Sequence, residues 1–166
     1  MPPETLPLAL GEPILEPACI RLSAGAVLLR GFAGLKAPDL FAALKEVRRI
    51  SPLRHMQTPG GWRMSVAMTN CGNAGWVTDA TGYRYDALDP DSGKRWPAMP
   101  EAFSTLAREA AEAAGLTDFR PDACLINQYA PGASLSLHQD RNERDFSQQC
   151  RTGYPKASQA QPPRHP

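Results

Sequence analysis

The sequence predicts an α+β domain, with helices first and an antiparallel sheet beginning near residue 122. Three observations carry that prediction. Two segments, within residues 38–49 and 100–114, repeat apolar residues at helical spacing. Four short segments, 25–31, 62–69, 122–129 and 134–138, read as strands between turn residues. The order is mixed, with no strand–helix alternation of the kind that builds a parallel sheet. A length of 166 residues suits one domain, and 42% hydrophobic with 21% charged residues suits a chain that builds a core.

Taken in order, residues 1–20 hold five prolines and scattered apolar residues, and read as a loosely attached arm. Gly25-Ala-Val-Leu-Leu-Arg-Gly31 is a strand between glycines. Pro38-Asp39 opens a helix with Leu40, Phe41, Leu44 and Val47 on one stripe and Arg48 and Arg49 in its last turn. Thr58-Pro-Gly-Gly61 is a turn. In residues 62–69, Trp62, Met64, Val66 and Met68 alternate with Arg63, Ser65 and Thr69, the pattern of a strand with one buried face. Residues 70–97 are rich in Gly, Asp and Pro, yet carry Trp76, Tyr83, Tyr85 and Trp96. That is too aromatic for a linker, and predicts a long ordered loop or hairpin. A second helix covers 100–114, with Pro at its start, a stripe of Phe103, Leu106, Ala107 and Ala110, and Gly115 to close it. Strands at 122–129 and 134–138 are joined by Ala130-Pro-Gly132.

Composition excludes several function classes. Eighteen basic against seventeen acidic residues give a net charge of +1, so the chain is no polybasic nucleic-acid binder and any phosphate contact must be a local patch. Arg54, Arg63, Arg84, Lys94 and Arg95 are candidates for one. The four cysteines match no zinc spacing and read as free thiols of a reducing compartment. The N-terminus has no basic, apolar secretory pattern, and the apolar runs are far too short to cross a bilayer. A cytoplasmic monomer with no membrane partner is expected.

His138-Gln-Asp140 is the sharpest chemical feature. In a strand, positions i and i+2 face the same way, so an imidazole and a carboxylate can meet one metal. They are two thirds of a two-His-one-carboxylate triad of the kind that suits Fe(II). Asn127 and Tyr129 share a face by the same argument, a polar pair in otherwise apolar text, suited to hold a carboxylate ligand or simply a satisfied buried tyrosine. The block 64–85 interleaves aromatics, methionines and arginines. Enzymes that act on a base hold it out of the stack between such side chains. The plain alternative makes Met64 and Met68 core residues.

These residues resemble the AlkB family of alkylation-repair dioxygenases, its bacterial prototype in particular. The matching text is TPGGWRMSVAMTNCG, GWVT, GYRY, WPAMP and PDACLINQYAPGASLSLHQD, within residues 25–147. The resemblance implies a double-stranded β-helix (jelly roll) behind N-terminal helices and a nucleotide-recognition lid. It implies Fe(II), with 2-oxoglutarate and O2 as co-substrates. It implies oxidative demethylation of N-alkylated bases of DNA and RNA, such as 1-methyladenine and 3-methylcytosine, with release of formaldehyde. His138 and Asp140 match two iron ligands, and Asn127 and Tyr129 match residues that hold 2-oxoglutarate. Trp76 matches the residue that stacks on the flipped base. Met68, Ser65 and Tyr83 match the base pocket and phosphate contacts, and residues 58–62, with Thr58 and Trp62 at the ends, match the lid. Asn142 stands where the family usually places a carboxylate against the base.

Beyond Ser147 the text changes. Residues 147–166 contain no Val, Ile, Leu, Met, Phe or acid, and hold four Pro and four Gln. No periodicity survives, which predicts a disordered tail. The expected organisation is therefore an arm at 1–20, the N-terminal portion of an AlkB-type dioxygenase domain at 21–147, and an out-of-frame tail at 148–166. The β-helix would be incomplete. The family's second histidine ligand and its two 2-oxoglutarate arginines have no counterpart in this text, so this chain is expected to be inactive. The other expectations are a catalytically dead single-strand nucleic-acid-binding module, or a fragment that does not fold.

Overall fold

The computed structural model describes residues 18–23 and 26–135. They form two helices and six strands, arranged as three antiparallel pairs. Strand β1 (Ala18–Ser23) pairs with β2 (Ala26–Arg30). The N-terminal arm expected at 1–20 therefore ends sooner, because Ala18, Cys19 and Ile20 pair with Arg30, Leu29 and Leu28.

Helix α1 (Ala37–Ile50) follows a 3-10 turn at Gly34–Lys36. Pro38 sits in its first turn, where no amide donor is needed, and Arg48 and Arg49 face the negative end of its dipole. Val47 is its buried anchor, whereas Phe41, assigned to the same stripe, is exposed. Helix α2 (Glu101–Ala113) ends in a Schellman motif. The Leu116 N–H donates to Ala111 O and the Gly115 N–H to Glu112 O, with Gly115 at φ 86°. An ion pair from Lys36 to Glu109 ties the 3-10 turn to α2.

Strand β3 (Ala67–Gly72) corrects the strand expected at 62–69. Val66 and Met68 are buried as the alternation requires, but Trp62 is 79% exposed. Thr69, Asn70 and Cys71 are fully buried as well, so both faces of β3 are covered. The polar pair is buried because it is satisfied: Thr69 Oγ1 bonds the Ser51 carbonyl and hydroxyl, and the Asn70 amide bonds the Trp76 backbone.

Residues 75–86 form the hairpin that the aromatics promised, β4 (Gly75–Asp79) and β5 (Gly82–Asp86). The expected strand at 122–129 is β6 (Ala123–Gln128). Its partner is β3, more than fifty residues back, with Met68 opposite Asn127 and Cys71 opposite Cys124. The strand expected at 134–138 is not formed at Ser134 and Leu135, and its remainder lies outside the described residues. Ser134 is held instead by Ser65, whose Oγ donates to Ser134 O and accepts from Ser134 N. Ala133 and Leu135 pack on a core of Met56, Val66, Met68, Val77 and Trp96.

Two glycines are sterically required. A Cβ on Gly75 would stand 2.5 Å from the Trp96 ring and 2.7 Å from Asn70. One on Gly72 would stand 2.4 Å from Asp122 O, at a φ of 113°. These close approaches seat Trp96 against the start of β4, and β6 against the end of β3.

Candidate nucleic-acid interface and active site

The site grows from β3. Asn70, wholly buried, reaches across to β4: its Nδ2 donates to Trp76 O and its Oδ1 accepts the Trp76 N–H, both at 3.0 Å. An amide is the one side-chain type that can mimic a strand partner this way, with donor and acceptor side by side. Trp76 is thereby fixed at its backbone. Its ring stacks on Tyr83 of β5, with centroids 5.7 Å apart and planes at 28°. They are diagonal neighbours on one face of the hairpin, since Trp76 pairs with Tyr85 and Tyr83 with Thr78. Tyr83 is half exposed, and Trp76 packs on the core beside Met64.

The turn expected at 58–61 is a tight loop. The Thr58 N–H donates to Trp62 O, the Gly61 N–H to Thr58 O, and the Trp62 N–H to Thr58 Oγ1. Gly61 supplies the positive φ of 81° that the turn needs. The loop holds up Trp62, whose ring lies over Gly60 and is largely in solvent. His55 Nδ1 pairs with Met64 O at 2.9 Å behind it.

Two of the five candidate phosphate contacts are committed elsewhere. Arg54 is paired with Asp89 at 2.6 Å and Asp91 at 2.9 Å, and lies 5.4 Å over the Trp96 ring. Arg84 is paired with Asp79 at 2.9 Å and with Asp86 at 3.5 Å. The acids needed to set the hairpin and the 89–95 turn have taken both guanidinium groups. Burial pushes Asp89 up, but the Ser92 hydroxyl, the Arg54 guanidinium and the Asp91 N–H together hold it below the usual carboxylate range. Arg84 and the Thr81 hydroxyl and N–H hold Asp79 far below that range. Arg63, Lys94 and Arg95 are exposed, with no ion pair among the described residues.

Among the other site residues, Met68 is 1% exposed and lies in the core, and Ser65 is an exposed anchor of Ser134. Asn127 and Tyr129 are exposed, and their side chains make no hydrogen bond among the described residues. His138, Asp140 and Asn142 lie outside the described residues. Among those described, no three His, Cys, Asp or Glu side chains gather as metal ligands. Sequence reasoning missed Asn70. A polar amide inside a strand is the signal that could have found it, since Asn is depleted there.

Comparison with known proteins identifies the family. Residues 25–150 match the 2OG-Fe(II) oxygenase superfamily. The chain is 57% identical over 135 residues to the alpha-ketoglutarate-dependent dioxygenase AlkB of Escherichia coli, a match covering 81% of this chain and 61% of that protein. It is 56% identical over 125 residues to AlkB of Salmonella typhimurium, covering 75% of this chain and 58% of that one. It is 33% identical over 72 residues to the human nucleic acid dioxygenase ALKBH1, covering 43% and 18%. The chain therefore spans about three fifths of the length of the two bacterial relatives. Enzymes of this family use Fe(II) with 2-oxoglutarate and O2. Family match and bacterial identities together place this chain in the AlkB family of 2-oxoglutarate- and Fe(II)-dependent dioxygenases.

Proposed function

We propose that the chain carries the nucleotide-recognition part of an enzyme that oxidatively demethylates N-alkylated bases of DNA or RNA, 1-methyladenine and 3-methylcytosine among them, with release of formaldehyde. The observation that supports this best is the Trp76–Tyr83 pair, stacked at 5.7 Å and pinned through Asn70. A rigid aromatic step of this kind suits an unstacked base, and the relatives include proteins named for dioxygenase action, one of them on nucleic acid. In this reading residues 58–62 are the lid, and Trp62 caps the strand from solvent. Ser65 fixes the 130–135 segment beneath it.

Asn127 and Tyr129 would donate to the carboxylates of 2-oxoglutarate, and His138 and Asp140 would hold Fe(II), which supplies the oxidising power when bound. Asn142 would face the base. An amide there both donates and accepts, where a carboxylate only accepts, so base preference would shift. The fold completed around these strands would be the double-stranded β-helix, and the enzyme would act as a cytoplasmic monomer. Residues 148–166 would be an out-of-frame tail, and the 166-residue chain alone would bind but not turn over.

The test is a binding titration of the 166-residue chain with a single-stranded oligonucleotide at low salt, beside a formaldehyde assay on a methylated one. Micromolar binding is expected, weakened about tenfold by Trp76→Ala, since stacking on an aromatic contributes about 1–3 kcal/mol per base. Absence of binding would refute the nucleic-acid reading. Formaldehyde release dependent on 2-oxoglutarate would refute the inactivity and support the enzyme reading outright.

A further inference from the structure

Cys71 and Cys124 stand directly opposite each other in the β3–β6 ladder. Neither is in a disulfide, Cys71 is fully buried and Cys124 half-buried. Neither has a part in the site described above. Two thiols facing each other across a ladder are a different object from a lone cysteine: each is within reach of the other's chemistry.

The hydrogen-bond pattern fixes their geometry. Met68 exchanges N–H and C=O bonds with Arg54, at 2.7 and 2.9 Å, so its backbone points away from β6. Direction alternates along a strand, so Thr69 and Cys71 point toward β6. Gly72 again points away, its N–H donating to Pro97 O at 2.8 Å, and the Asn73 N–H donates to Asp122 O at 2.7 Å. Cys71–Cys124 is therefore a hydrogen-bonded pair. Such pairs have Cα atoms about 5.5 Å apart, inside the span of about 4.4–6.8 Å that a disulfide bridges. Side chains at these positions stand farther apart than at the neighbouring kind, so closing the bridge must draw them together. A bridge closed that way is one that reductants open readily.

We propose that Cys71 and Cys124 form a reversible, peroxide-responsive dithiol–disulfide site that staples β3 to β6. Cys124 is the attacking group and Cys71 the resolving one. The Cys124 sulfur attacks one oxygen of hydrogen peroxide and becomes a sulfenic acid; the O–O bond breaks, sulfur gives up two electrons, and the other oxygen leaves as water with the thiol's proton. The Cys71 sulfur then attacks Cys124 Sγ, forming the S–S bond and releasing a second water. Two thiols and one hydrogen peroxide give one disulfide and two waters. Exposure assigns the order, because only Cys124 meets solvent. The electrostatics agree with it: the facing Cys124 thiol and burial both push the Cys71 thiol up, whereas Cys71 lowers Cys124.

The consequence is local. β3 carries Asn70, which holds Trp76, and β6 carries Asn127. The staple fixes the strands behind both halves of the site. It lies on the other face of the ladder, beside Thr69 and Ser51, and takes no group from the site itself.

The test uses the native 166-residue chain and hydrogen peroxide, with intact mass and peptide mapping after thiol alkylation. A product two hydrogens lighter, with two of the four thiols lost, a Cys71–Cys124 linked peptide, and recovery on adding a dithiol would support the proposal. Peroxide given together with dimedone should label Cys124 and leave Cys71 unlabelled. Cys71→Ser should stop at a Cys124 sulfenic acid, one oxygen heavier. Bridges mapping to Cys19 or Cys150, intermolecular bridges, four intact thiols, or dimedone on Cys71 would each overturn it, and each is read on the unsubstituted chain.

Discussion

At the scale of the residue, Asn70 shows how one side chain links core to site. Its amide replaces a missing strand partner for Trp76, and it does so at zero exposure. Asn70→Ala leaves the Trp76 N–H and C=O without partners, at a cost of about 2–4 kcal/mol for the two groups together. Asn70→Asp keeps the acceptor for the N–H, loses the donor to the carbonyl, and buries a charge, so it should be no milder. Urea midpoints of the two variants check this, with Trp76 fluorescence reporting the indole's loss of order. A midpoint unchanged by Asn70→Ala would remove Asn70 from its positioning role. The aromatics themselves were legible in the sequence, because Trp and Tyr are conspicuous in a Gly- and Asp-rich stretch. Asn70 carried only the weak signal of an amide beside a strand, because what lies across from it, which decides its burial, is not written locally.

At the scale of the element, the hairpin and the 89–95 turn are set by acids that capture arginines. Arg54 bridges Asp89, which is buried, and Asp91, which is exposed. The two should behave differently. Asp89→Asn should cost about 1–3 kcal/mol at neutral pH, because a half-buried guanidinium loses its closest partner. Asp91→Asn should cost under about 1 kcal/mol, as exposed pairs do. The folded-state carboxyl of Asp89 is held below its unfolded value, so its stabilisation is full above about pH 3.9 and is lost as pH falls through the lower folded value. The gap between the native sequence and Asp89→Asn should therefore close in acid, and urea midpoints at neutral pH and near about pH 2 measure it. A gap that stays constant would mean that Asp89 acts through packing alone. Helices α1 and α2 were legible, because stripe, proline and capping glycine agree for each. β3 was misplaced by five residues, since strict alternation marks a half-buried strand and β3 is covered on both faces. The pairing of β3 with β6 was hidden, because register across more than fifty residues leaves no local signal.

At the scale of the whole molecule, charge decides how the proposed nucleic-acid contact must work. The net charge is +1, and two of the five candidate phosphate contacts are bound to acids of the same chain. Arg63, Lys94 and Arg95 remain for a strand lying across the lid and the hairpin. Each phosphate neutralised on a single strand contributes about 0.7 to the fall of log affinity with log salt, so three cations set a slope of about 2. Stacking on Trp76, Tyr83 and Trp62 carries no counterions and should persist as salt rises. Trp76→Ala should then weaken binding by about the same factor at every salt concentration, because it removes stacking energy, of about 1–3 kcal/mol, and no charge. Arg63→Ala should instead flatten the slope by about 0.7. Anisotropy titrations across a salt series separate the two. A slope steeper than about 4 would place the dominant contacts on cations away from the aromatic platform, and the Trp76–Tyr83 pair would then be a packing feature of the hairpin. A slope near 2, with a salt-independent loss in Trp76→Ala, would mean that a nearly neutral surface selects its strand by the exposed face of a base.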